Sequence, residues 1–197
     1  MKVTFVIYNF DQSLSDAQAF YRHLEEDLLG GIDPLLWGID VMNLVCRAAI
    51  TSDHHQNGVN IYLREDDLPP LLRWHQRPEI IFKLLQDLDS DIIHAFSLGL
   101  PLHFRWLRKL LGPEVGLVAH HTGERHWIQM RLWMQQFGLR VVNGFVFHHD
   151  KDAQDWRKAA LVLPAQPVVS LDNGHRLPER DLLIPQMYRE LTTRESV

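Results

Sequence analysis

The feature that most limits how this chain can fold is a repeated alternation. Short runs of β-branched and aromatic residues are each followed by a longer stretch with apolar residues at helical spacing. Asp91-Ile92-Ile93-His94-Ala95-Phe96 is a strand by this reading. Gly99 to Leu111 is the helix after it, with Pro101 in its first turn and Gly112-Pro113 at its end. Val115 to Ala119 is the next strand. Trp127, Met130, Met134 and Phe137 then mark one face of a helix that Gly138 stops. Val141 to Phe147 is a strand, Asp152 to Ala160 a short helix, and Leu161 to Val169 holds a last strand among prolines. Parallel strands need a crossover, which a helix of about 10–15 residues supplies. The expected fold is therefore α/β, a Rossmann-like, doubly wound, mainly parallel sheet in a single domain.

The N-terminal half reads less evenly. Val3 to Tyr8 suits a buried central strand. Ser15 and Gln18 form a capping box ahead of Ala17, Phe20, Tyr21, Leu24 and Leu28, and Gly30-Gly31 ends that helix. Leu35 to Trp37 is the expected second strand. Gly58 to Leu63 is the third, after an Asn-Gly turn signal, while residues 41–60 carry no clear pattern. Pro69-Pro70 opens a helical region that Pro78 interrupts and Ile80, Ile81, Leu84, Leu85 and Leu88 resume. The expected domain spans residues 1–175. Residues 176–197 are expected to be a tail with a short helix at Gln186 to Leu191.

Bulk properties narrow the class. A chain of 197 residues is long enough to bury a full core without staples. The lone Cys46 permits no internal disulfide, which fits a reducing compartment, and a cytoplasmic location is expected. Val3 to Ile7 is too short for a signal peptide, and no stretch approaches a membrane span. A net charge of −5 argues against nucleic-acid binding. Two aromatic-basic stretches, Leu71 to Arg77 and His103 to Lys109, read as helices with a solvated basic face. They leave room for a peripheral membrane contact.

In an open parallel sheet, ligands bind beyond the carboxyl ends of the strands. Those ends are Asn9-Phe10-Asp11, His94 to Ser97, His120 to Glu124 and His148-His149-Asp150. Three successive strands thus deliver histidines to one crest. Imidazole there could hold or activate a substrate hydroxyl. A metal site is the weaker reading, because no H-E-x-x-H or C-x-x-C spacing occurs. The first loop lacks G-x-G-x-x-G and Ser97 lacks G-x-S-x-G. Gly123 permits a close backbone approach.

The segment Asp91 to Ser97, a helix, Gly116 to Gly123, a helix and Gly144 to Phe147 resembles the N-terminal half of GT-B glycosyltransferases, family 4 (group 1) above all. The likeness covers residues 1–175 in element order and about 90–125 in motif. It implies an acceptor-binding domain of a retaining enzyme that takes a nucleotide sugar as co-substrate and needs no metal or other cofactor. It implies a catalytic role for His121, with His94 at the matching strand end, and it sets Asn9 to Ser15 at the family's first loop. With the strand-end crest, the substrate-binding candidates are His94, Ser97, His120, Thr122, Gly123, Glu124, Asn9 and Asp11. His148 and His149 receive no role. Val168 to Gly174 is similar to the family's lead into the donor domain.

The chain departs from the family in two places. The first loop has no glycines for donor phosphates, and no two glutamates stand eight apart. Only 23 residues follow Gly174, so a donor-binding domain is expected to come from elsewhere, in cis or in trans. The chain alone is then expected to lack turnover on its sugar, glycolipid or glycan acceptor. The alternatives are a non-catalytic binding or partner domain and, less favoured, a metal-dependent hydrolase built on the histidines.

Overall fold

The computed structural model describes residues 1–8, 37–56, 58–124, 132–171 and 177–193. The expected helix from Ser15 to Gly31, the site candidates Asn9 and Asp11, Trp127 and Met130, and the Asn173-Gly174 segment lie outside them.

The described chain is α/β. Its strands are β1 (Lys2–Ile7), β2 (Val41–Arg47), β3 (Ser52–Gln56), β4 (Val59–Arg64), β5 (Ile92–Ala95), β6 (Gly116–His120), β7 (Gly144–Phe147) and β8 (Val168–Ser170). Its helices are α1 (Glu79–Asp87), α2 (Pro101–Leu111), α3 (Leu132–Leu139), α4 (Asp150–Lys158) and α5 (Leu177–Thr193). The strands form one eight-stranded sheet in the order β3-β4-β2-β1-β5-β6-β7-β8. Every pairing is parallel except β3 with β4. The chain runs outward from β1 to one side, then returns to β5 on the other. The junction of β1 and β5 is therefore the topological switch point of this Rossmann-like sheet.

Strand period 2 divides the core into two layers. Val3, Phe5, Leu44, Cys46, Ile61, Leu63, Ile92, Val118 and Val146 face α5, which contributes Ile184, Met187, Tyr188 and Leu191. Val6, Tyr8, Val45, Ile93, Leu117, Ala119, Phe145 and Phe147 face the helices on the opposite side, which contribute Phe82, Leu85, Phe104, Leu107, Leu139 and Trp156. The C-terminal helix is thus one wall of the core and runs from residue 177 to 193, well beyond the short segment expected.

The structure corrects several readings of the sequence. Trp37 lies outside any strand, and the strand paired with β1 on that side is Val41–Arg47. Its period was hidden by Asn43, which sits inside the sheet. Asn43 donates to Thr4 Oγ1 at 3.1 Å and accepts from Asn60 Nδ2 at 3.0 Å, a polar rung across β1, β2 and β4. Residues 69–78 form no helix, and α1 begins only at Glu79. Pro69, Pro70 and Pro78 lack the N–H a helix needs, and each disfavours helical backbone in the residue before it. Gly138 does not stop a helix but lies within α3. A Cβ there would overlap the backbone carbonyl of Pro101, so its bareness lets α3 and α2 touch. The buried side of α3 is Gln135, Gly138 and Leu139, while Trp133 and Phe137 are exposed.

Candidate functional site

The strand period also decides which of the crest histidines meet. Along β6, Val118 and His120 point toward α5, whereas Leu117, Ala119 and the following His121 point toward the other helices. His94 and His148 share the side of His120. His121 lies on the other side, so the structure does not bring the two residues singled out by the family likeness, His94 and His121, onto one face.

On the α5 side the imidazoles form a chain. The Tyr188 hydroxyl and His94 Nδ1 share a hydrogen bond. His94 Nε2 and His120 Nδ1 share another of 3.1 Å. The His148 ring lies against His120, with centroids 4.9 Å apart. Phe5 and Phe96 pack on His94, so this is a core arrangement more than an open rim. Burial pushes the His94 imidazole down to about 3. Burial, and then the neighbouring imidazoles, holds His120 well below the ordinary histidine range. Both are neutral rings at physiological pH. Both nitrogens of His94 are engaged, which leaves it no lone pair for a metal. Among the described residues no three His, Cys, Asp or Glu groups converge as a metal cage would require.

On the other side His121 is buried against Phe147 and Trp156. Its Nε2 donates to the Glu124 carbonyl at 2.8 Å, which turns Nδ1 toward Asp152 Oδ2 at 3.8 Å. That separation is beyond hydrogen-bond reach, so Nδ1 is a buried nitrogen with no hydrogen-bond partner among the described residues. The sequence reading has Asp152 only as the start of a helix and not as a site candidate. The signal existed, because an acidic residue in the first turn of a helix after a strand end lies close to the preceding strand end.

Glu124 and Ser97 frame the crest more than they face solvent. The Glu124 carboxylate accepts from Leu98 N–H at 2.9 Å, Thr122 N–H at 2.7 Å and Thr122 Oγ1 at 3.0 Å. It thereby joins the loop after β5 to the loop after β6. Ser97 Oγ accepts from Gly99 N–H at 3.1 Å. Thr122 and Gly123 are exposed at the tip, and Gly123 takes φ +94, which suits glycine. His149 and Asp150 are exposed beside them at the start of α4.

Beyond the carboxyl ends of β1 and β2 lies a second group that the sequence did not announce. Arg47, buried at the carboxyl end of β2, grips Asp66 through Nε at 2.8 Å and Nη2 at 2.6 Å. Its guanidinium also donates to the carbonyls of Tyr8, Leu68, Pro69 and Pro70. Next to it His103 stands edge-on to Tyr8, centroids 4.9 Å apart. His103 Nε2 donates to the Gln76 carbonyl at 2.8 Å, and burial lowers its imidazole to about 4. The stretch 103–109 is thus a sheet-covering helix: His103 and Phe104 are buried, Arg105 lies over Phe137, and Arg108 holds the Gly112 and Val115 carbonyls. Among the described residues no helix is long and apolar enough to cross a membrane.

No protein-family model and no curated protein matches the chain.

Proposed function

We propose that the chain is the acceptor-side domain of a retaining GT-B-type glycosyltransferase, active only with a donor-binding domain supplied elsewhere. The observation that carries this reading is His121 at the end of β6, oriented by the Glu124 carbonyl and faced by Asp152, beside the exposed Thr122-Gly123 tip. Such a group can take or steady the proton of a sugar hydroxyl laid over the strand ends. The sheet order supports the same edge, because the ligand crevice of an open parallel sheet opens there. His121 acts on the reacting hydroxyl. Thr122 and Gly123 offer a hydroxyl and backbone groups to the acceptor, and Ser97 and Glu124 hold the two loops in place. The nucleotide sugar is a co-substrate bound mainly by the other domain.

The test is an NMR titration of the full chain with a panel of glycosides, alongside assays with uridine- and guanosine-diphosphate sugars. Glycosides should shift the amides of residues 97–100 and 121–124, and no nucleotide sugar should be turned over. Steady-state transfer or donor hydrolysis by this chain alone would sink the two-domain logic. A non-catalytic partner domain is the second reading. It is favoured by the deep burial of His94 and His120, and by loop hydrogen bonds that already occupy His121 and Glu124. Silence of the crest amides to every glycoside, with a stable hetero-complex indifferent to His121→Ala, would select it.

A further inference from the structure

The chain of rings under the crest has one loose end. His120 Nε2 is buried and has no hydrogen-bond partner among the described residues. The other polar atoms of the chain are paired in sequence: Tyr188 Oη with His94 Nδ1, and His94 Nε2 with His120 Nδ1. Three neutral groups linked this way can carry their protons in only two arrangements. In the first, His120 Nδ1–H donates to His94 and His94 Nδ1–H donates to Tyr188. The Tyr188 proton is then stranded in the core. In the second, Tyr188 donates to His94, His94 Nε2–H donates to His120 Nδ1, and the unmatched proton is His120 Nε2–H.

Each arrangement leaves one donor unsatisfied, and the difference lies in where. Tyr188 is 0 % exposed, inside the α5 layer, and His120 is 5 % exposed, at the last position of β6. A stranded donor costs least where a ligand or solvent can reach it. The half-buried His148 ring lies against His120 at the end of the neighbouring strand.

We propose that Tyr188 and His94 are positioning residues that hold His120 as a neutral Nε2–H donor, covered by His148, for an oxygen acceptor of the crest ligand. The helix α5 therefore sets the hydrogen-bonding sense of a group one ring away, on the neighbouring strand. Burial keeps His94 and His120 uncharged, so the donor persists without a protonation step. The acceptor oxygen belongs to a sugar hydroxyl on the glycosyltransferase reading, and an anionic oxygen has the same accepting chemistry. Only that choice rests on the proposed function; the proton arrangement does not.

Long-range ¹H–¹⁵N correlation of the histidine rings in the full chain tests this directly. At neutral pH both His94 and His120 should carry their proton on Nε2. Tyr188→Phe should convert His120 to a mixture of tautomers, a change that a merely space-filling Tyr188 would not produce. His120 protonated on Nδ1 in the wild type overturns the proposal, and so does an unchanged His120 tautomer in a folded Tyr188→Phe. If that variant does not fold, the wild-type spectrum decides alone. Titration with methyl α-glucopyranoside and, separately, inorganic phosphate then reads the ligand. Movement of the His120 Nε2–H signal by the glycoside supports the hydroxyl acceptor. Movement by phosphate alone supports an anionic acceptor, upholding the relay while counting against the sugar reading. No movement with either overturns the binding role.

Discussion

Single residues here divide into those that carry charge safely and those that must stay neutral. Arg47 is the first kind. Its guanidinium is buried and depends on Asp66 as counter-ion. Removing one member of a buried pair leaves an uncompensated charge, so Asp66→Ala should cost about 3 kcal/mol in urea unfolding. A loss below about 1 kcal/mol would mean that the surrounding carbonyls suffice to hold Arg47. His94 and His103 are the second kind. Their folded values, about 3 and about 4, lie below the roughly 6.5 of an unfolded chain. The unfolded state therefore binds more protons as pH falls. Their contribution is complete above about pH 6.5 and is lost between there and about pH 4 to 3. Each should remove about 2 kcal/mol by pH 5, seen as a falling urea midpoint. His103→Gln should make that decline shallower; an unchanged slope would place the acid sensitivity elsewhere. The gathering of His94, His120 and His121 at strand ends was legible in the sequence, but their facing was not, because the strand extends to His120, one residue past its apolar run. The grip of Arg47 on Asp66 was not, because the two stand 19 positions apart, with a strand hairpin between them.

At the scale of elements, close approach is set by bare positions. Gly138→Ala would push a methyl group into the Pro101 carbonyl, which is backbone and cannot step aside. An overpacked contact of that kind costs about 1–3 kcal/mol. Gly144→Ala instead meets the Met187 thioether, Sδ 2.7 Å from the added Cβ, and a flexible methionine can move. The expected order of thermal midpoints is wild type, then Gly144→Ala, then Gly138→Ala. A reversal would show that α3 slides on α2 more easily than α5 adjusts on the sheet. Elements with an unbroken apolar run, β5 to β7, could be read directly because both of their faces are buried. β2 and β3 could not. Asn43 interrupts one, and the other, Ser-Asp-His-His-Gln, is an exposed edge strand whose pairing with β4 owes nothing to hydrophobicity.

For the whole molecule, the decisive element is α5. Ile184, Met187, Tyr188 and Leu191 form part of the core layer on one side of the sheet. Each buried side chain of this size contributes about 1.5–3 kcal/mol, and whole domains are stable by only about 5–15 kcal/mol. A chain cut after Leu171 should therefore fail to fold cooperatively, as judged by circular dichroism and exposed-surface dye binding. A sharp thermal transition in that fragment would contradict the assignment of α5 to the core. The sequence by itself determined the α/β class, the order of the later strands and the edge on which their polar ends gather. Those features depend on local period and on the need for a crossover between parallel strands. Only the tertiary structure decided that Tyr188 reaches His94 from the far end of the chain, that His120 rather than His121 is the partner of His94, and that Arg47 pairs with Asp66 beyond the end of β2. Such contacts join residues distant in sequence, and packing, not local preference, selects them. The row of histidines at the strand ends is thus two arrangements on opposite faces of the sheet: His94 and His120 hydrogen-bonded in line with Tyr188 of α5, and His121 turned toward Asp152.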